Sequence, residues 1–112
     1  MIPSAQKVGK DLFKILLSTG RTFPSGGFSL RVFFEKEALK PKFSVVVGKK
    51  IDSMAVGRNL IKRRVYAVLE PLLRRAKPGS RVAIFLKKKI SAGALPSLKS
   101  ELESVLRTAG VL

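Results

Sequence analysis

The chain has no cysteine, no histidine and no tryptophan, and only seven of its 112 residues are acids. Each absence closes off a class of chemistry. Without cysteine there is no disulfide framework and no thiolate metal site, a composition compatible with a reducing compartment. Without histidine or cysteine, a structural zinc site, a Ser-His-Asp triad and a cysteine nucleophile are all excluded. The few acids are scattered, so no carboxylate cluster stands ready to hold a catalytic metal. No apolar run approaches the roughly 18 residues of a membrane span, and the N-terminus lacks a signal-peptide pattern; the chain reads as a soluble cytoplasmic protein with no membrane partner.

What the chain has in excess is positive charge. Twenty-three Lys and Arg against seven Asp and Glu leave +16. Self-repulsion of that size destabilises a compact fold, so it usually marks an anionic partner. At 46% hydrophobic the chain is too apolar for a disordered basic tail. Its length suits a single domain, residues 1–112, with a core that needs no staples. There is no internal repeat and no linker.

The cations concentrate between Lys49 and Tyr66, where Lys49, Lys50, Arg58, Lys62, Arg63 and Arg64 stand against one acid, Asp52. Wound as a helix, Ile61 to Ala76 puts Ile61, Val65, Val68, Leu69, Leu72 and Ala76 on one side. Asn59, Arg63, Tyr66, Glu70 and Arg74 then point the other way, with Lys62 at the border. A solvated outer face is the ordinary explanation of such a pattern. The overall charge favours the alternative, a face offering cations, an amide and an aromatic ring to a polyanion, RNA more than DNA.

In chain order, Ser4 to Thr19 reads as a helix with Val8, Leu12, Ile15 and Leu16 as its core stripe and Gly20 as its C′ residue. Phe13 and Leu17 lie off that stripe, so the helix is either buried on two sides or presents a second apolar face to a groove. Arg21 to Gly27 is turn chemistry. Phe28 to Glu35 alternates as a strand, Phe43 to Val47 gives a second strand, and the short connection between them predicts an antiparallel hairpin. Lys49 to Val56 leads into the basic helix, with Asp52 or Ser53 available as its cap. Pro71 predicts a kink or break near Glu70. Arg81 to Leu86 is a third strand, closed by Lys87-Lys88-Lys89, which is either a solvated strand end or a second phosphate contact. A last helix runs from about Pro96 to Ala109 on Leu95, Leu98, Leu102, Val105 and Leu106, with Gly110 beyond it. The order of elements predicts an α+β fold, a two-layer sandwich of helices against a small sheet, whose β-helix-β portion would by default cross over right-handed.

Lys49-Lys50-Ile51, with Arg58-Asn59 seven positions after Ile51 and Lys62-Arg63 following, resembles the signature of the protein component of bacterial ribonuclease P. The segment Asp11 to Gly20 is similar to that family's first helix with its closing glycine, and Phe28-Ser29-Leu30 falls eight residues after that glycine. Gly79 to Lys88 resembles the strand after the basic helix, so the likeness covers nearly the whole chain. It implies a ribosomal-protein-like two-layer α/β sandwich on a small, mostly antiparallel sheet, with a left-handed β-α-β crossover in place of the default.

The same resemblance implies an RNA-binding subunit of ribonuclease P. Such a subunit binds the catalytic RNA and the 5′ leader of precursor tRNA, and so supports endonucleolytic removal of the leader to make the mature 5′ end. Catalysis belongs to the RNA, which requires magnesium; the protein itself is expected to bind no cofactor and to need no obligatory protein partner. Residue by residue, Arg58, Asn59, Lys62 and Arg63 match the signature that meets the RNA subunit, and Lys49 and Lys50 the basic pair before it; Arg64 and Tyr66 extend the RNA-binding set. Phe13, Leu17 and Arg31 match positions that border the leader cleft. The sequence departs from the family pattern at Leu60, Tyr66, Leu17 and Arg31, and carries one extra residue between Lys50 and Arg58. A general RNA-binding protein would share the charge; a DNA-binding module would need a dimer surface that is not evident, and a self-sufficient nuclease would need clustered carboxylates.

Overall fold

A computed structural model describes residues 20–35 and 40–112. The helix expected from Ser4 to Thr19, with Phe13 and Leu17, lies outside these residues. Strand β1 spans Arg21–Pro24, β2 Phe28–Phe34 and β3 Lys42–Val46; helix α1 spans Ala55–Leu73, β4 Ser80–Leu86, and α2 Leu95–Thr108 after a 3-10 turn at Ala92–Ala94.

The strands form one mixed sheet in the order β1-β2-β4-β3. β1 and β4 each pair antiparallel with β2, while β3 pairs parallel with β4 through the intervening α1. Two expectations fail here. β2 and β3 do not form a hairpin, because β4 lies between them. The reason lies in the burial of β4: Ser80-Arg81-Val82-Ala83-Ile84-Phe85-Leu86 is buried at every position but Phe85, and a strand covered on both faces sits inside a sheet. Nor is Arg21 to Gly27 all turn. Thr22 and Phe23 favour extended structure, and Pro24 is tolerated because β1 is an edge strand. The turn shrinks to Ser25-Gly26-Gly27, closed by the Ser25 N–H donating to the Phe28 carbonyl at 2.9 Å.

Register puts Phe28, Leu30 and Val32 beside Leu86, Ile84 and Val82, and Phe43 and Val45 beside Val82 and Ile84. That sheet face and the apolar stripes of the two helices make one core. Ile61, Val65, Leu69 and Leu72 enter it from α1, and Leu98, Leu102 and Leu106 from α2. Each fully buried leucine or phenylalanine stabilises the fold by roughly 1.5–3 kcal/mol, so this stripe fixes the orientation of α1. Val68, expected in the core, is only partly buried against it.

Pro71 does not break the helix near Glu70; α1 continues to Leu73. Its exposed ring costs one backbone bond, but Leu72 and Leu73 beyond it are buried and hold the last turn in place. At that end, Arg75 donates to Glu103 of α2 at 3.0 Å, and Arg107 reaches the same carboxylate oxygen at 2.9 Å. The Arg75 hydrogen bond, aided by the charges of Arg75, Arg107 and Lys99, holds the Glu103 carboxyl below its ordinary range. At the start of β4, Gly79 adopts φ +84°, and its carbonyl accepts the Glu35 N–H at 2.9 Å. A side chain there would run into the Glu35 carbonyl. Next to it the buried Arg81 pairs with Glu35 at 2.9 Å and donates to the Lys40 carbonyl at 2.7 Å.

Candidate nucleic-acid interface

The site begins with the loop from Gly48 to Ser53. It turns tightly, the Ile51 N–H donating to the Gly48 carbonyl at 3.0 Å. Asp52 then accepts the Met54 N–H on Oδ1 at 2.9 Å. Neither Asp52 nor Ser53 is the helix cap: that position is Met54, which offers no side-chain acceptor. Asp52 acts one step earlier, as an Asx turn that aims the chain into the helix. Arg58 closes the arrangement from above. Its Nη1 donates to the Asp52 and Ser53 carbonyls, each at 3.0 Å, so this cation braces the loop as well as carrying charge. The first turn of α1 holds no acid of its own; the Asp52 carboxylate, set against Gly57, is the negative charge that meets the partial positive charge of the helix N-terminus.

From this frame Lys49, Lys50, Asn59 and Arg63 are exposed, whereas Arg58, Lys62, Arg64 and Tyr66 are half-buried. α1 is pinned on two flanks. On one, the Tyr66 hydroxyl accepts the Val45 N–H of β3 at 3.1 Å. On the other, Arg64 donates to the Ile90 carbonyl beyond β4 at 3.1 Å. Tyr66, read from periodicity as pointing outward, therefore lies partly against the sheet and helps satisfy the edge strand. The structure thus gathers Lys49, Lys50, Arg58, Asn59, Lys62, Arg63 and Arg64 around one end of one helix. Arg31 stands elsewhere, half-buried on the sheet face turned away from the two helices, opposite Ala83 and Thr22. Phe13 and Leu17 fall outside the described residues.

The lysine run after β4 divides by position. Lys87 donates to the Ser25 carbonyl at 2.8 Å and braces the β1–β2 turn. Lys89 comes within 3.9 Å of Asp52 Oδ2, and Lys88 and Lys89 line a groove of about 470 Å³ together with Asp52, Leu60 and Arg64. No periodicity argument could have found this. The run is brought to the helix by the parallel β3-α1-β4 connection, a feature of topology and not of local sequence. Among the described residues no group of three or more His, Cys, Asp or Glu could hold a metal ion, and no helix is long and apolar enough to cross a membrane.

Residues 8–110 match the Ribonuclease P family profile. Over its full length the chain is 33% identical to the ribonuclease P protein component of Synechococcus sp. (strain JA-3-3Ab), covering 92% of that protein. It is 26% identical to that of Pseudanabaena sp. (strain PCC 6903), covering 97% of it and all of this chain. Among solved structures, a Staphylococcus aureus RNase P protein mutant with defective mRNA degradation activity superposes with a TM-score of 0.79 at 21% identity, covering 96% of this chain and 91% of that one. The Thermotoga maritima RNase P protein gives 0.62 at 14% identity over 87% and 86% of the two chains. These two likenesses speak for the fold.

Proposed function

This chain belongs to the ribonuclease P protein family, the protein component of an endoribonuclease whose catalysis is RNA-based, and from that premise we propose that it binds the catalytic RNA and the 5′ leader of precursor tRNA. The observation that carries the first contact is the end of α1. Asn59 and Arg63 lie exposed in its first three turns, with Lys49 and Lys50 exposed on the loop before it. The apolar stripe and the Tyr66 and Arg64 bonds fix the helix against rotation. Cations held in this way meet RNA phosphates without first having to order the backbone that carries them, and Asn59 adds a donor and acceptor for a base or ribose. Lys62 and Arg63 extend the contact along the helix, Arg64 and Tyr66 flank it, and Arg58 contributes charge while keeping the loop in shape.

The leader is assigned a separate surface. Arg31 projects from the sheet face away from α1 and α2, and with Phe13 and Leu17 it would line a groove for one single strand. Two surfaces on one small body let the protein bridge the catalytic RNA and its substrate. Among the described residues no group of three or more His, Cys, Asp or Glu could hold a metal ion, which supports assigning the magnesium that the reaction needs to the RNA; the assembly is assigned to the cytoplasm with no second protein required.

Reconstitution tests this. Added to a bacterial ribonuclease P RNA and a precursor tRNA at low magnesium, the protein should restore cleavage at the mature 5′ end. The same protein without RNA, after nuclease treatment, should not cut. Failure to stimulate the RNA, or cleavage by protein alone, overturns the assignment.

A further inference from the structure

The groove between α1 and the end of β4 differs in character from the exposed basic face. Leu60, Ile61, Ile90 and Ala94 give it apolar walls, and Arg64 and Lys89 add cations to its lining; Lys88 also borders it, with the end of its side chain against Gly27. Leu60 is 46% exposed, in a position where the chain spends an apolar side chain on solvent. At about 470 Å³ this groove, open to solvent along one side, has room for part of a small organic ligand, whose sites span roughly 300–1,000 Å³. Arg64 is fixed there by one bond to the Ile90 carbonyl; a guanidinium has five N–H donors, so that bond positions the head without exhausting it.

The geometry points to a pocket for a single unstacked RNA nucleotide, its base against Leu60 and the apolar wall and its phosphate between Arg64 and Lys89, with Lys88 at the edge. The inference rests on RNA being the partner of this chain, and it adds a contact on the flank of α1 opposite to Tyr66. A plain phosphate contact would not need the apolar wall. An apolar protein partner would be opposed by the lysines, whereas RNA supplies an apolar face and an anion within one residue. Asp52 lines the same groove and lies 3.9 Å from Lys89. At that length, and with Lys89 largely exposed, the pair is weak, so Lys89 can exchange it for a phosphate while Asp52 keeps its bond to the Met54 N–H.

The test measures binding of the whole protein to a bacterial ribonuclease P RNA at several salt concentrations, for three variants. Lys88→Ala with Lys89→Ala should weaken binding and make the log affinity–log salt slope shallower by about 1 to 2, since each lost phosphate contact removes about one unit. Leu60→Ala removes exposed apolar surface, should leave the fold intact, and should cost about threefold to tenfold in affinity with the slope unchanged. Lys62→Ala with Arg63→Ala reports on the other flank. If that variant loses RNA while Leu60→Ala does not, RNA binding stands and the nucleotide pocket is wrong. If the lysine pair matters and Leu60 does not, the groove holds a phosphate only, and the pocket is again wrong. If none of the three variants affects binding, the RNA assignment itself falls.

Discussion

The Asp52 carboxylate occupies the space that a side chain on Gly57 would need. A β-carbon built at Gly57 collides with Asp52 Oδ2, while Oδ1 of the same carboxylate accepts the Met54 N–H. Glycine in the first turns of a helix is ordinarily a cost of about 0.5–1 kcal/mol against alanine. Here the missing side chain admits the acid that turns the loop into the helix and that lies near Lys89.

Gly57→Ala should therefore destabilise the protein although it improves helix propensity. Crowding of this kind costs about 1–3 kcal/mol, so the net loss should be about 0.5–2 kcal/mol in denaturant unfolding. The diagnostic is the double variant. With Asp52→Ala in place the collision is gone, and Gly57→Ala should become neutral or stabilising. Equal effects of Gly57→Ala in both backgrounds would show that the two residues are not coupled.

Tyr66 separates folding from binding. Tyr66→Phe deletes the acceptor for the Val45 N–H and leaves that strand-edge donor to water. The expected loss is about 0.5–1.5 kcal/mol, read as a fall in melting temperature of about 2–6 °C for a domain of this size. RNA affinity should stay within about twofold if the ring alone meets RNA. A large affinity loss with unchanged stability would reverse the assignment and place the hydroxyl in the interface.

The parts of this fold that could be read from the chain are those governed by period. The stripe Ile61, Val65, Leu69, Leu72 and the alternation through Phe28, Leu30 and Val32 each name a buried face, and those faces form the core. What escaped was pairing. Val82, Ile84 and Leu86 fit Phe28, Leu30 and Val32 on one side and Phe43 and Val45 on the other, and no local rule says that both sides are used. Pro71 misled because its penalty is local whereas the burial of Leu72 and Leu73 is tertiary. The basic cluster was legible from its density around Lys62. Its neighbours Lys88 and Lys89 were not, since only the parallel crossover brings them to Asp52 and Leu60.

The charge on α1 makes a quantitative demand on salt. If roughly six cations meet phosphates, log affinity should fall with log salt at a slope of about −4 to −5, or about 2.5 to 3 decades between 50 and 200 mM. On the proposed assignment Lys49, Lys50, Lys62, Arg63 and Arg64 would be the main contributors. Arg58, whose Nη1 is bonded to the Asp52 and Ser53 carbonyls, should show part of its effect as lost stability when changed to alanine. Binding that barely responds to salt would mean that the cationic face is merely solvated.

The last prediction separates the two proposed RNA surfaces. On that assignment Asn59, Lys62 and Arg63 would act from α1, and Arg31 from the sheet face turned away from both helices. Lys62→Ala with Arg63→Ala should impair assembly with the RNA subunit, and once assembly is driven to completion should affect precursor and mature tRNA alike. Phe13→Ala should do the opposite. Stacking of a single-stranded base on an aromatic ring is worth about 1–3 kcal/mol, so this variant should weaken precursor tRNA by about tenfold or more. Mature tRNA, which has no leader, should bind nearly as before. Affinities of each reconstituted variant for both tRNAs, beside its affinity for the RNA subunit, decide the matter. Equal weakening of both tRNAs by Phe13→Ala, or a variant that simply unfolds, would make Phe13 a core residue and move the leader off this face. Arg31→Ala then acts as the control on the proposed leader surface: it should weaken precursor tRNA selectively and reduce the salt dependence of that binding by about one unit.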